Sequence, residues 1–208
     1  MSKYQLIGDY NSEDILHSKE EGAVRVFIPL KGKGKSLRYG IGQALLKLNA
    51  NSIFPTEDGI DLLCLAGLIY LADTRISRVL HAQDSWTREI AIELPVFNRE
   101  KWTSVESSFS RMLNFLTGDR WVITFTQREC RLSEKSIAKI ACYDAVTLFS
   151  GGMDSLIGTI NHLESHKRIA LISHASDSHT KNAQDKLLRA FKGIYSDSSP
   201  LYLDLWAV

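Results

Sequence analysis

The sequence predicts an α/β protein in two parts. An N-terminal α+β domain covers residues 1–140, and the first half of a doubly wound parallel sheet covers residues 141–208. Three observations predict this. Beyond Asp144 the pattern is strictly βαβαβ, with short apolar runs alternating with amphipathic stretches. The first of those runs, Ala145-Val146-Thr147-Leu148-Phe149, opens directly into Ser150-Gly151-Gly152-Met153-Asp154-Ser155 and then a helical stretch. Upstream, strands and helices surround one long apolar helix and make a core of their own.

At 208 residues, with 44% hydrophobic and 24% charged residues, the chain has an ordinary globular composition. A net charge of +1 gives no global field that would draw it to nucleic acid or a membrane surface. Cys64, Cys130 and Cys142 are too few and too scattered for a disulfide framework or a four-cysteine zinc site, and they read as reduced thiols in a cytoplasmic protein. No apolar signal region follows Met1, and the most apolar stretch, residues 62–72, is far shorter than the ~20 residues that span a bilayer.

Residues 1–22 are polar and mixed and read as a loosely attached lead-in. Residues 23–30 form a first strand, with Pro29 placing its end near a sheet edge. Residues 31–42, rich in glycine and lysine, read as a loop. Thr56 or Asp58 caps a helix over 59–78 that is apolar on nearly every side (Ile60, Leu63, Leu65, Leu68, Tyr70, Leu71) and therefore central. Residues 88–96 alternate as a half-buried strand, with Ile90, Ile92, Leu94 and Val96 inward. Val105, Phe109, Met112 and Leu116 fall at helical spacing until Gly118, and Trp121, Ile123 and Phe125 mark another strand. Residues 127–139 form a polar boundary with a short helix over 133–140.

The second part follows as strand 145–149, helix 156–166, strand 168–173, a helix with Ala183, Leu187, Phe191 and Ile194 on one face, and strand 201–206. Its first turn has a chemical purpose. A strand–glycine turn–helix arrangement aims backbone N–H groups and a positive helix end at an anion. Gly151 and Gly152 let the main chain approach phosphate without an intervening side chain. Ser150 and Ser155 add hydroxyl donors, and Asp154 is placed to cap the helix or help organise a metal ion.

The string 150–155 resembles the SGGxDS signature of the PP-loop family, the N-type ATP pyrophosphatases, at all five fixed positions. The resemblance implies an adenine nucleotide alpha-hydrolase-like fold that splits ATP into AMP and pyrophosphate to adenylate an acceptor. It implies that Ser150, Gly151, Gly152, Met153, Asp154 and Ser155 bind ATP, with Asp154 and Ser155 catalytic and Asp154 holding Mg²⁺. Main-chain groups of Ile172 and Ser173, at the end of the second parallel strand, would meet the adenine.

Within that family, residues 146–155 and the short helix after them look closest to 7-cyano-7-deazaguanine synthase, often called QueC. That enzyme activates 7-carboxy-7-deazaguanine with ATP and adds ammonia, yielding the nitrile used in queuosine synthesis. Two departures stand out: some 140 residues precede the loop, and His174-Ala175-Ser176-Asp177-Ser178-His179 replaces the usual Tyr-Gly-Gln and histidine. An appended domain with a diverged loop resembles the QueC-like components of bacterial anti-phage operons such as the Qat system, which implies a protein partner from the same operon. The family's zinc-binding cysteine cluster, and two further strands of the sheet, would fall beyond Val208, so the sequence predicts a half-built sheet at that point.

Other motifs carry less. Gly32-Lys33-Gly34-Lys35-Ser36 lacks the Walker-A spacing, since Pro29 stands where its first glycine belongs, and reads as a solvated basic turn. His174, Asp177 and His179 follow the second parallel strand and either line a ligand pocket, hold a metal or form a plain polar loop. Residues 81–88, with Arg75 and Arg78, read as a loop pinned by Asp84–Arg pairs with Trp86 in the core; the alternative is a surface for a planar anion or a partner protein. His162 reads as a surface residue.

The expected activity is adenylation of a carboxylate followed by nitrogen capture. Two alternatives stand beside it. A tRNA-modifying PP-loop enzyme calls for a catalytic cysteine pair and a basic RNA-binding face, and neither is visible. A non-catalytic nucleotide-binding or scaffold subunit requires only the loop.

Overall fold

The computed structural model describes residues 3–11, 13–20, 22–31, 37–82, 86–133, 142–165, 167–174, 178–196 and 200–204. These fall into two compact units, one within residues 1–42 and 55–135 and the other within 43–54 and 136–206. The expected boundary at residue 140 and the expected helix from 134 onward lie outside the described residues.

The first unit contains a five-stranded sheet in the order β2-β3-β1-β4-β5. Its strands are β1 (Lys3–Asp9), β2 (Leu16–Glu20), β3 (Ala23–Pro29), β4 (Glu89–Val96) and β5 (Arg120–Gln127). Only β2 pairs antiparallel; β1 with β3, β1 with β4 and β4 with β5 all run parallel. The unit is therefore α/β in character, not the expected α+β. The expected lead-in is corrected, since β1 is the central strand. Strand β2 lies beside β3 but pairs it only over Ala23–Phe27, so the Pro29 end of β3 runs past β2 at the margin of the sheet, as expected. On the far side from the core, Gln5 bonds Glu93 (3.3 Å) and Arg25 (3.1 Å) across neighbouring strands, so polar residues here belong to a central strand.

Helix α2 (Glu57–Arg75), capped by the Thr56 hydroxyl accepting from Gly59 N–H at 3.2 Å, lies on this sheet. Gly8 makes room for it, because a Cβ there would stand 2.9 Å from Leu30 Cδ1 and 3.3 Å from Leu68 Cδ1. The helix is one-sided: Ile60, Cys64, Leu65, Leu68 and Ala72 are buried, while Leu62 and Tyr70 are exposed. A further helix, α1 (Ile41–Ala50), begins within the last two residues of the expected loop 31–42 and continues through a stretch where no element is expected.

Short helices α3 (Arg78–His81) and α4 (Arg99–Thr103) precede α5 (Glu106–Thr117), which ends on Gly118 at φ 72°. Helix α5 covers the free margin of β5. Phe125 N–H donates to Glu106 (2.9 Å), Ile123 N–H to Ser110 (3.2 Å) and Trp121 N–H to Asn114 (2.7 Å). The match is geometric, since four helical residues rise about 6 Å and two strand residues about 6.6 Å. It also turns the helix from the expected face: Leu113 is inward, whereas Met112 and Leu116 are exposed.

Asp119 anchors the expected polar segment before β4. Arg78 bonds both of its oxygens at 2.9 Å, and the buried Arg88 reaches Asp119 Oδ2 (2.5 Å), Asp73 Oδ1 (2.5 Å) and the Ile76 carbonyl (2.7 Å). Asp84 lies outside the described residues, and Trp86 is exposed instead of filling the core. A second buried set joins Arg128 to Glu57 (3.0 Å) and Asp61 (2.6 Å), fastening the chain leaving β5 to α2.

The second unit holds a three-stranded parallel sheet, β6 (Ala145–Leu148), β7 (Ile169–Ser173) and β8 (Leu201–Asp204), in sequence order. Helices α6 (Met153–Glu164) and α7 (Ser178–Ile194) make the connections. Phe149, Leu163, Ile169, Leu171 and Phe191 form its core. The inward face of α7 is Gln184, Leu187, Leu188 and Phe191, with Tyr195 packed just after its end; Ala183 and Ile194, expected on that face, are exposed. Among the described residues β6 pairs only with β7, and Val146 and Leu148 on it are 68% and 79% exposed.

Candidate functional site

Because β6, β7 and β8 run parallel, their carboxyl ends share one edge, where parallel α/β sheets take their ligands. The motif turn leaves β6 at that edge. Phe149 N–H still donates to the Ile172 carbonyl (2.8 Å), and the chain then reverses through Gly151 at φ 85°, a conformation that favours glycine. Gly152 is the N-cap of α6 in extended conformation and supplies no side-chain cap. The cap position therefore offers no acceptor to the first-turn N–H groups, which face the edge with the positive end of the helix.

The turn brings the two motif serines together, with Ser150 Oγ and Ser155 Oγ 3.2 Å apart. Ser155 Oγ donates to the Gly152 carbonyl (2.9 Å), and Gly152 N–H donates to Ser150 Oγ (3.3 Å). Beneath them the buried Thr159 donates to the Ser155 carbonyl (2.7 Å) and completes the first turn of α6. Met153 and Asp154 are exposed. Of the residues expected at the adenine, Ser173 is buried and Ile172 has its carbonyl engaged in the bond from Phe149.

Several polar residues at this edge were not singled out from the sequence. Gln184 is fully buried, with Nε2 donating to the Ser150 carbonyl (3.2 Å) and the Phe149 carbonyl (3.4 Å). Its Oε1 lies 3.2 Å from the Tyr202 hydroxyl, which is also 3.2 Å from Ser173 Oγ and from Lys181 Nζ. Lys181 continues to Asp185 (3.3 Å) and Asp204 (3.4 Å), and Lys47 on α1 donates to both the carbonyl (2.6 Å) and the carboxylate (2.5 Å) of Asp204. A glutamine inside the apolar stripe of α7 was the available signal, since a buried amide needs partners.

The charges follow from these neighbours. Burial acts against the charged form of Lys181, but the Tyr202, Asp185 and Asp204 oxygens outweigh it and raise its pKa. Burial likewise acts to raise Asp204, and Lys47 and Lys181 hold it below the usual carboxylate range instead.

Mg²⁺ takes an octahedral oxygen set in which one or two protein carboxylates are completed by phosphate and water. The exposed Asp154 carboxylate and the two nearby hydroxyls suit such an ion bound together with a nucleotide. Among the described residues no group of three or more His, Cys, Asp or Glu side chains is placed to hold a metal by itself. His174 and His179 are exposed, and Asp177 and the Gly32–Ser36 turn lie outside the described residues. Cys64 is buried, and Cys130 and Cys142 are exposed. No helix among the described residues is long and apolar enough to cross a membrane. No family model matches the chain, and neither a curated protein nor a solved structure is significantly similar to it.

Proposed function

We propose that the second unit binds ATP on the turn Ser150–Ser155 and adenylates a small carboxylate, in the manner of 7-cyano-7-deazaguanine synthase. The observation that carries this reading is the turn itself: an extended glycine without a side-chain cap at the start of α6, flanked by two hydroxyls 3.2 Å apart, at the carboxyl edge of a parallel sheet. That arrangement presents donors and no carboxylate cap to an incoming polyphosphate.

The turn amides, Ser150 and Ser155 hold the β- and γ-phosphates, and main-chain groups at the end of β7, beyond the engaged Ile172 carbonyl, meet the base. An oxygen of the acceptor carboxylate attacks the α-phosphorus, the bond to the bridging oxygen breaks, and pyrophosphate leaves. A nitrogen nucleophile, ammonia or an amine of a partner protein from the same operon, then displaces AMP from the acyl-adenylate. Asp154 holds Mg²⁺, which when bound supplies charge compensation for the departing pyrophosphate.

The test is product analysis with Mg-ATP and 7-carboxy-7-deazaguanine. AMP and pyrophosphate that depend on the acid are the expected products. ATP binding without AMP formation would replace this reading with a nucleotide-binding subunit, and no binding at all would overturn it.

A further inference from the structure

We infer that Gln184 is a positioning residue that aims the amide donors of the Ser150–Ser155 turn; the inference rests on the reading of that turn as a nucleotide site. Gln184 is fully buried, and its Nε2 donates to two successive carbonyls, those of Phe149 (3.4 Å) and Ser150 (3.2 Å). In a trans peptide the N–H points opposite to the C=O of the same plane, and no peptide bond among the described residues is cis. Drawing the Phe149 and Ser150 carbonyls toward α7 therefore turns the N–H groups of Ser150 and Gly151 away from α7. Two oxygens that would repel phosphate are withdrawn in the same movement.

The amide is held from both ends. The Phe149 and Ser150 carbonyls can only accept, so Nε2 is the end that faces the turn, and Oε1 meets the Tyr202 hydroxyl at 3.2 Å behind it. Its stem is held too, because a Cβ on Gly151 would stand only 3.1 Å from Gln184 Cγ. Lys181 and Ser173 bond the same tyrosine hydroxyl, so the ends of β7 and β8 set the position of the turn through one side chain. Gln184 does not touch the ligand in this account.

Two variants test it: Gln184→Met, which keeps the length and removes the amide, and Tyr202→Phe, which removes only the hydroxyl behind it. Each is compared with the parent chain by calorimetric binding of Mg-ATP, by thermal unfolding, and by NMR of the Ser150 and Gly151 amides. Q184M is expected to unfold cooperatively, to bind ATP about 10-fold or more weakly and to shift both amide signals. Y202F should do the same to a smaller degree.

Unchanged amide signals and unchanged affinity in Q184M overturn the inference and leave the nucleotide reading standing. If the parent binds no ATP, the nucleotide reading fails, and shifted turn amides in Q184M still support the positioning role while unshifted ones sink it. Should Q184M not fold, Y202F decides alone by the same two signals.

Discussion

Gly151 and Gln184 are packed tightly against each other: an added Cβ would lie 3.1 Å from Gln184 Cγ, so that side chain would have to give by a few tenths of an ångström. Gly151 has φ 85°, where a Cβ is also disfavoured by its own backbone. Gly151→Ala should therefore lower stability by about 1–2 kcal/mol for the backbone alone. It should weaken ATP binding as well, because relief requires the turn or Gln184 to move. Urea unfolding and calorimetry check both, and an alanine variant with unchanged stability would contradict the geometry.

Asp154 is exposed in the first turn of α6, so its removal costs the fold little. Asp154→Ala should remain within roughly 0.5 kcal/mol of the parent in stability. AMP formation should fall by about 100-fold or more, as for other residues acting on developing charge. Normal turnover in this variant would remove Asp154 from the reaction.

Asp119 is fully buried and is the shared partner of Arg78 and Arg88. Asp119→Ala would leave the buried Arg88 with the half-exposed Asp73 as its remaining carboxylate, beside its main-chain acceptors, and should cost about 3–5 kcal/mol in urea unfolding. The pH dependence has a definite sign. Burial acts to raise the Asp119 pKa, but the bonds and charges of Arg88 and Arg78 hold it below the ordinary value. Its contribution is thus complete above the unfolded-state value of about 3.9 and is lost as pH falls through the lower folded value. The melting temperature should drop in that acid range, and Asp119→Asn should drop less steeply there.

The three thiols should divide by accessibility. Cys64 lies on the buried face of α2, and burial pushes its pKa up to about 11, whereas Cys130 and Cys142 are exposed. With a disulfide reagent at pH 8, two thiols should react quickly and the third only on unfolding. Three fast thiols would mean that Cys64 is not buried in solution.

Most of the second unit was legible because its segments obey one rule each: apolar runs for β6, β7 and β8, helical spacing for α6 and α7. The misreadings share a physical cause, which is polar residues doing structural work on inward or interstrand faces. Strand β1 was hidden because its outward face carries Gln5, which bonds Arg25 and Glu93 across neighbouring strands, and a short polar-faced stretch near the N-terminus does not by itself mark a central strand. The face of α5 was set one position off because its inner side includes Glu106, Ser110 and Asn114, whose bonds to β5 no periodicity reveals. The turn at residues 150–155 could be named from sequence, but not Gln184, Tyr202, Lys181, Asp204 or Lys47. They come from three separate elements that only the folded sheet edge assembles.

The side chains that α5 lays along β5 have a consequence for how this sheet can meet other chains. A strand joins an existing sheet by finding a row of unpaired amides, and at β5 the donors of Trp121, Ile123 and Phe125 are already taken. Helix α5 acts as a permanent stand-in for a neighbouring strand, one that cannot itself be extended by a further strand. Growth of the sheet by β-augmentation, whether by a partner's peptide or by a misfolded copy, is thereby barred on that side and confined to β2 at the opposite margin.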